Sequence, residues 1–325
     1  MGLKISKGRL RKPLRVVLYG VEGIGKTTLA SQFPRPVFLD TEGSTVHFDV
    51  ERVPNPRDEH DPVIRKWVDL LGVMHQLIRD REGYETVVID SADWAESLAT
   101  THLLESDKEK KRTSIEDYGY GKGYVMLAEI VSKCLATCDE MVRAGLNVVW
   151  VAHSKSVRVS PPDQTDGFDR YELKMHKQVG PLFKEWCDLL LFLNYRTIVT
   201  EGDDGRMKGR GGKERIMHCQ RSAAWDAKNR FGLPESMPMS IDTLRPLFTG
   251  TAPAAAPSDE PPLHERMATF IAEAKTVATL GKVGDKIDAY ESDGQLTADQ
   301  ADALRAAIAA RHDVLEPKEA ANVVA

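Results

Sequence analysis

The sequence predicts an α/β fold in which short buried strands alternate with amphipathic helices. Three observations carry that expectation. Apolar, β-rich runs at 15–19, 37–40, 86–90 and 146–152 read as buried strands. Segments with apolar residues at helical spacing lie between or before them, at 62–80 and 125–144. A glycine-rich turn at 20–25 leads from the first strand into a helix that Pro34 stops.

Length and composition set the frame. The 325 residues suffice for one large domain or two smaller ones. Hydrophobic residues at 42% and charged residues at 29% fit a globular protein. No apolar run approaches the ~20 residues of a membrane span, and the N-terminus lacks an apolar signal core. The expectation is a cytoplasmic protein with no membrane partner. Cys134, Cys138, Cys187 and Cys219 read as buried free thiols.

Charge and composition divide the chain. Residues 1–13 form a basic, flexible arm, and 14–248 the main α/β core. Residues 249–262, rich in Ala and Pro, read as a linker. Helical patterning returns at 263–315, near 264–280, 281–292 and after Thr297, which is placed to cap a helix; 316–325 is a tail. From Thr251 onward 13 acidic residues stand against 7 basic ones, so the C-terminal appendage is acidic.

The turn carries the chemistry. Gly20, Gly25, Lys26 and Thr27 stand in the spacing G-x-x-x-x-G-K-T. That spacing lets backbone N–H groups of Gly23, Ile24, Gly25 and Thr28 curl around a triphosphate. Lys26 then reaches the β/γ-phosphates, and the Thr27 hydroxyl serves Mg²⁺. Downstream, the strand at 37–40 runs into Asp40-Thr41-Glu42-Gly43. A carboxylate at that edge, Glu42, is placed to polarise an attacking water, with Asp40 supporting it or the metal. Asp90 ends the next strand, where an acid holds Mg²⁺ through water. His153, after the strand at 146–152, fits either a γ-phosphate sensor or a structural strand-end histidine.

Other stretches leave two readings open. The polar 105–117 segment carries Lys108, Lys110, Lys111 and Arg112. It leads to Tyr118, Tyr120 and Tyr124 among glycines, which suit either base stacking or a packed helix entry. Residues 155–177 form a basic loop or a surface hairpin. Residues 202–213 read as a glycine-rich, basic hairpin tip. Lys228 and Arg230 stand two apart after the last long strand.

This order of features resembles the RecA superfamily, and within it the compact phage-encoded RecA-like ATPases of single-strand annealing and recombination. The resemblance spans roughly 14–248 and rests on the phosphate loop, Asp40-Thr41-Glu42, Asp90, His153 and the Lys228-Asn229-Arg230 triplet. It implies a doubly wound, mostly parallel sheet, with the 146–152 strand between those at 15–19 and 86–90. It implies ATP and Mg²⁺ as ligands and Glu42 as the water-activating residue. Lys228 and Arg230 would act in a neighbouring subunit's ATP site. The implied partners are single-stranded DNA and further copies of the chain in a filament or ring. The leading expectation is therefore a DNA-stimulated ATPase of phage-type recombination. A ring-forming motor or helicase loader is the second, and an ATP-gated scaffold recruiting a single-strand-binding protein the third.

Overall fold

The computed structural model describes residues 5, 7–8, 11–107, 112–159, 167–201, 207–249, 263–274, 276–292 and 296–315. The chain divides into two compact units, Met1–Ala254 and Ala255–Ala325. Several sequence expectations lie wholly or partly outside the described residues: most of the 1–13 arm, Lys108 to Lys111, 160–166, 202–206, the 250–262 linker and the 316–325 tail.

The first unit is built on one sheet. Its central strands are β1 (Arg15–Gly20), β2 (Pro36–Asp40), β3 (Thr86–Asp90), β4 (Asn147–Val159) and β6 (Leu189–Glu201). They stand in the order β2-β3-β4-β1-β6, all parallel. The sheet continues antiparallel through β7 (Met207–His218) and β9 (Ser236–Pro238). β4 thus lies between β3 and β1, the RecA-like order. Parallel strands need crossovers, and helices supply them.

Alternation along β1 shows why both faces are covered. Val17 and Tyr19 enter one core with residues of α2 (Trp67–Arg79), α3 (Ala92–Ser106), α4 (Lys122–Arg143) and α5 (Gly180–Trp186). Val16 and Leu18 enter a second core with residues of α1 (Lys26–Ala30) and α6 (Ile241–Thr249). A strand buried on both faces has no polar side to show, so β1 reads as a continuous apolar run.

The boundaries differ from expectation where tertiary contacts extend or trim an element. β4 does not stop at 152; it runs through His153 to Val159 and pairs antiparallel with β5 (Phe168–Leu173). The basic 155–177 stretch is therefore a hairpin, and Lys155, Arg158 and Arg170 are tied to Met175, Asp169 and Asp226. Residues 188–193 and 196–200, which the sequence reads as two separate strands, are one strand with a bulge between Tyr195 and Thr197. α1 ends at Ala30, short of the stop expected at Pro34, and α2 begins at Trp67 rather than near Pro62. Asp61 instead holds the 62–66 entry, accepting from Val63 N at 3.0 Å and Arg65 Nε at 2.9 Å.

Among its described residues the second unit has three helices, α7 (Leu263–Glu273), α8 (Val277–Ser292) and α9 (Ala298–Leu315). α7 ends at Glu273 and α8 begins at Val277, whereas the sequence puts that boundary at 280. Met267, Ile271, Leu280, Ile287 and Leu304 form its core. Thr297 caps α9: its Oγ1 accepts from Gln300 N at 3.3 Å, and Gln300 Oε1 accepts from Thr297 N at 3.0 Å. All four cysteines are buried and free.

Candidate nucleotide site

The loop after β1 is shaped by close approach. A Cβ on Gly20 would lie 2.1 Å from the Leu193 carbonyl oxygen of β6, so no side chain fits there. Gly23 and Gly25 adopt φ of +70° and +100°, the left-handed region that glycine reaches without strain. Ile24 turns its side chain wholly into the second core, which anchors the loop while leaving only its backbone for a ligand. Lys26 Nζ donates to the Gly20 and Val21 carbonyls at 3.2 and 3.1 Å.

This loop opens on a cleft of about 630 Å³, between the C-terminal ends of the parallel strands. Gly23, Gly25, Lys26, Thr27 and Thr28 line it, and so do Glu42, Asp90 and His153. Eight residues expected from the sequence thus share one cavity. Gly20 and Ile24 do not line it and shape the loop from behind. Thr27 Oγ1 donates to Asp90 Oδ2 at 2.6 Å.

The Glu42 turn is held by Asp40. Its Oδ1 accepts from the backbone N–H of Glu42 and Gly43 at 2.9 and 2.6 Å, and its Oδ2 accepts from Thr45 N and Oγ1 at 3.0 and 2.5 Å. Asp40 is fully buried and spends both oxygens on this turn. Of the two roles read for it, the geometry gives the support of Glu42. Facing Glu42 is His153, its Nε2 lying 3.9 Å from Glu42 Oε1. The other ring nitrogen, Nδ1, lies 3.1 and 3.0 Å from the two oxygens of Asp93. The histidine is therefore bracketed by two carboxylates, one of which also accepts from its backbone N–H at 3.2 Å.

Burial and pairing set the charges. Burial pushes Asp90 up to about 6, against the Thr27 hydrogen bond that pulls the other way. Burial lowers Lys26, opposed by the nearby carboxylates. The Asp93 hydrogen bond holds His153 above its ordinary value. Burial would raise Asp93, but the His153 contact outweighs it and the carboxyl sits below its usual range.

Sequence reasoning missed three contributors. The sequence marks Asp93 only as part of the helix start that follows Asp90, and its pairing with His153 depends on α3 packing beside β4. Lys174 and Arg215 also line the cleft, from the β5–α5 connection and from β7. No short-range spacing announces either, because the sheet order alone brings them to the loop.

Lys228 and Arg230 lie elsewhere. β8 (Lys228–Asn229) pairs with Leu189 and Leu190, at the start of β6, whereas the phosphate loop meets the sheet at Leu193. Lys228 Nζ donates to the Lys184 and Glu185 carbonyls at 2.9 and 2.7 Å, capping α5. Arg230 Nη1 lies 3.1 Å from Asp188 Oδ1, which Lys12 and Arg15 also engage. Neither residue lines the cleft of its own chain. Among the three tyrosines, Tyr118 donates to the Leu103 carbonyl and lies under Arg112, and Tyr124 stacks on His176 at 3.9 Å. Only Tyr120 is fully exposed, at φ +48° between two positive-φ glycines.

A parallel sheet of this order, with the phosphate loop, Asp90 and Glu42 converging at its C-terminal edge, defines a generic AAA/RecA-like ATPase domain. Residues 12–231 match the family model AAA_24, described as an AAA domain, and the chain belongs to that family. No curated protein matches the chain. Among solved structures it is similar to a KaiC-like protein from the hyperthermophilic archaeon Pyrococcus horikoshii, at 12% identity and a TM-score of 0.35, covering 65% of this chain and 81% of that one. Among the described residues no helix is long and apolar enough to cross a membrane.

Proposed function

We propose that the protein binds ATP with Mg²⁺, hydrolyses it, and couples that cycle to single-stranded DNA in recombination or annealing of the phage type. The observation that carries the hydrolytic part is the convergence of Glu42 on the cleft that holds Lys26, Thr27 and Asp90. The donor set fits the ligands: Thr27 and Asp90 offer the hard oxygens that Mg²⁺ prefers, and the glycine loop leaves its N–H groups to the phosphates. Magnesium, when bound, neutralises charge on the phosphate oxygens. Lys26 exchanges its loop carbonyls for the β/γ-phosphates. Glu42 accepts a proton from the water whose oxygen attacks the γ-phosphorus, and the bond to the β-γ bridging oxygen breaks. The charge left on ADP falls on Lys26 and the loop amides.

In this reading His153 registers the γ-phosphate through Nε2, while Asp93 fixes its other nitrogen. Lys228 and Arg230 serve a neighbouring copy's site, a role that requires them to leave the α5 carbonyls and Asp188. Tyr120 is the aromatic best placed to stack on a base, because Tyr118 and Tyr124 are already engaged. The test is the ATPase rate with and without single-stranded DNA at several salt concentrations. DNA stimulation that weakens with salt, and falls in Tyr120→Ala, is expected. Absence of stimulation removes the DNA coupling. Unwinding of a forked duplex would replace it with a ring-forming motor or loader. ATP-dependent capture of a single-strand-binding protein without DNA stimulation would replace it with a scaffold.

A further inference from the structure

The cleft holds a cation that the hydrolytic mechanism does not use. Arg215 sits on β7, and its Nη1 lies 2.9 Å from where a Cβ of Gly25 would stand. The guanidinium thus lies directly over the phosphate loop, in space that any other residue at position 25 would take. Its backbone is fixed on both sides: Arg215 is registered against Tyr195 of β6, and its carbonyl accepts from Met239 N at 3.1 Å. Side chains alternate along a strand. The preceding Glu214 pairs with Arg196 at 3.2 Å, while Arg215 goes to the opposite face and the cleft. Among the described residues no hydrogen bond or ion pair engages the Arg215 guanidinium.

Sheet order says which end of a nucleotide it faces. Glu42 follows β2, Asp90 ends β3 and His153 lies on β4, all on one side of β1. Arg215 comes from β7, beyond β6, on the other side. A triphosphate lying on the loop with its γ-phosphate toward Glu42 turns its α- and β-phosphates toward Arg215. A planar guanidinium with a fork of donors suits phosphate oxygens.

We propose that Arg215 is a nucleotide-binding residue acting in its own chain, gripping the α/β-phosphate end of the ligand from the β7 side. The proposal rests on the reading of this cleft as a nucleoside-triphosphate site. It separates two cationic duties: Arg215 holds the diphosphate that substrate and product share, whereas Lys26 serves the transferred group as well. An arginine used in this way raises affinity for ATP and ADP together, and leaves the rate of the bound complex to Glu42.

The experiment measures Mg–ATP, Mg–ADP and Mg–tripolyphosphate binding to the full chain, for the parent, Arg215→Ala, Arg215→Lys and Lys26→Ala, together with turnover at saturating ATP. Arg215→Ala is expected to weaken all three ligands by about tenfold or more, since a charge-assisted phosphate contact is lost. Its turnover at saturation stays within about threefold of the parent, and Arg215→Lys recovers part of the affinity. Arg215 is exposed, so the substitution leaves the fold intact; an unchanged thermal transition checks this. Unchanged affinities in Arg215→Ala, beside a clear loss in Lys26→Ala, would overturn the proposal. A loss for ATP alone would overturn the α/β assignment, and a loss confined to the base-bearing ligands would overturn the phosphate contact. Full binding in Lys26→Ala as well would overturn the nucleotide site itself rather than Arg215.

Discussion

His153 shows how one side chain is tuned by its neighbours. Asp93 takes Nδ1 and raises the imidazole above its ordinary value, while the cleft-facing Nε2 points toward Glu42. Replacing Asp93 with Asn removes that anchor, so the His153 titration followed by NMR should shift to lower pH. The pair also contributes to stability over a defined window. Because His153 is raised and Asp93 is lowered, their contribution is present between the two folded values. It fades as pH rises through the His153 value and as pH falls through the Asp93 value. Asp90 behaves in the opposite sense. Its carboxyl is raised to about 6 by burial, so the folded state holds a proton that the unfolded chain releases nearer 4. Stability therefore drops as pH rises across that interval. Asp90→Asn should raise unfolding stability at neutral pH, on the order of 1–3 kcal/mol in a urea titration, while Mg²⁺-dependent turnover is lost.

Among elements, the contact between β1 and β6 is the least forgiving. Gly20→Ala would drive a Cβ into the Leu193 carbonyl oxygen, and the strands must separate or the loop must move. A loss of about 1–3 kcal/mol is expected, with weaker nucleotide binding, both read from thermal unfolding with and without ATP. In the helical unit, Thr297→Ala removes the reciprocal cap of α9 and should cost about 1 kcal/mol there. The strands β1, β2 and β3 were legible because burial on both faces leaves a continuous apolar signature. The far half of β4 was not, and the far half of β6 reads from the sequence as a separate strand. Residues 153–159 are mixed in character and become strand by pairing with β5, the next strand in the chain, and 194–201 joins β6 through its antiparallel pairing with β7. The site divides in the same way. Lys26, Thr27, Glu42 and Asp90 sit at strand ends whose spacing is local, whereas packing brings Asp93 to His153 and Arg215 to the cleft.

At the scale of the whole molecule, the role proposed for the Lys228–Arg230 turn in a neighbouring copy's site competes with the contacts that hold it in its own chain. Both side chains are spent within the chain, on the α5 carbonyls and on a buried Asp188 that also holds Lys12 and Arg15. A role in a neighbouring copy's site means exchanging these contacts for a triphosphate. Lys228→Ala should then reduce turnover steeply in concentrated protein and leave ATP affinity of the dilute chain unchanged, as read from the concentration dependence of specific activity. The central claim, that this cleft hydrolyses ATP with Glu42 orienting the water, meets its most direct test in single-turnover hydrolysis by Glu42→Gln, with ATP binding measured on the same sample. Binding within about threefold of the parent and a rate lower by about 10²–10⁴ are predicted. Hydrolysis at the parental rate by that variant would contradict the account.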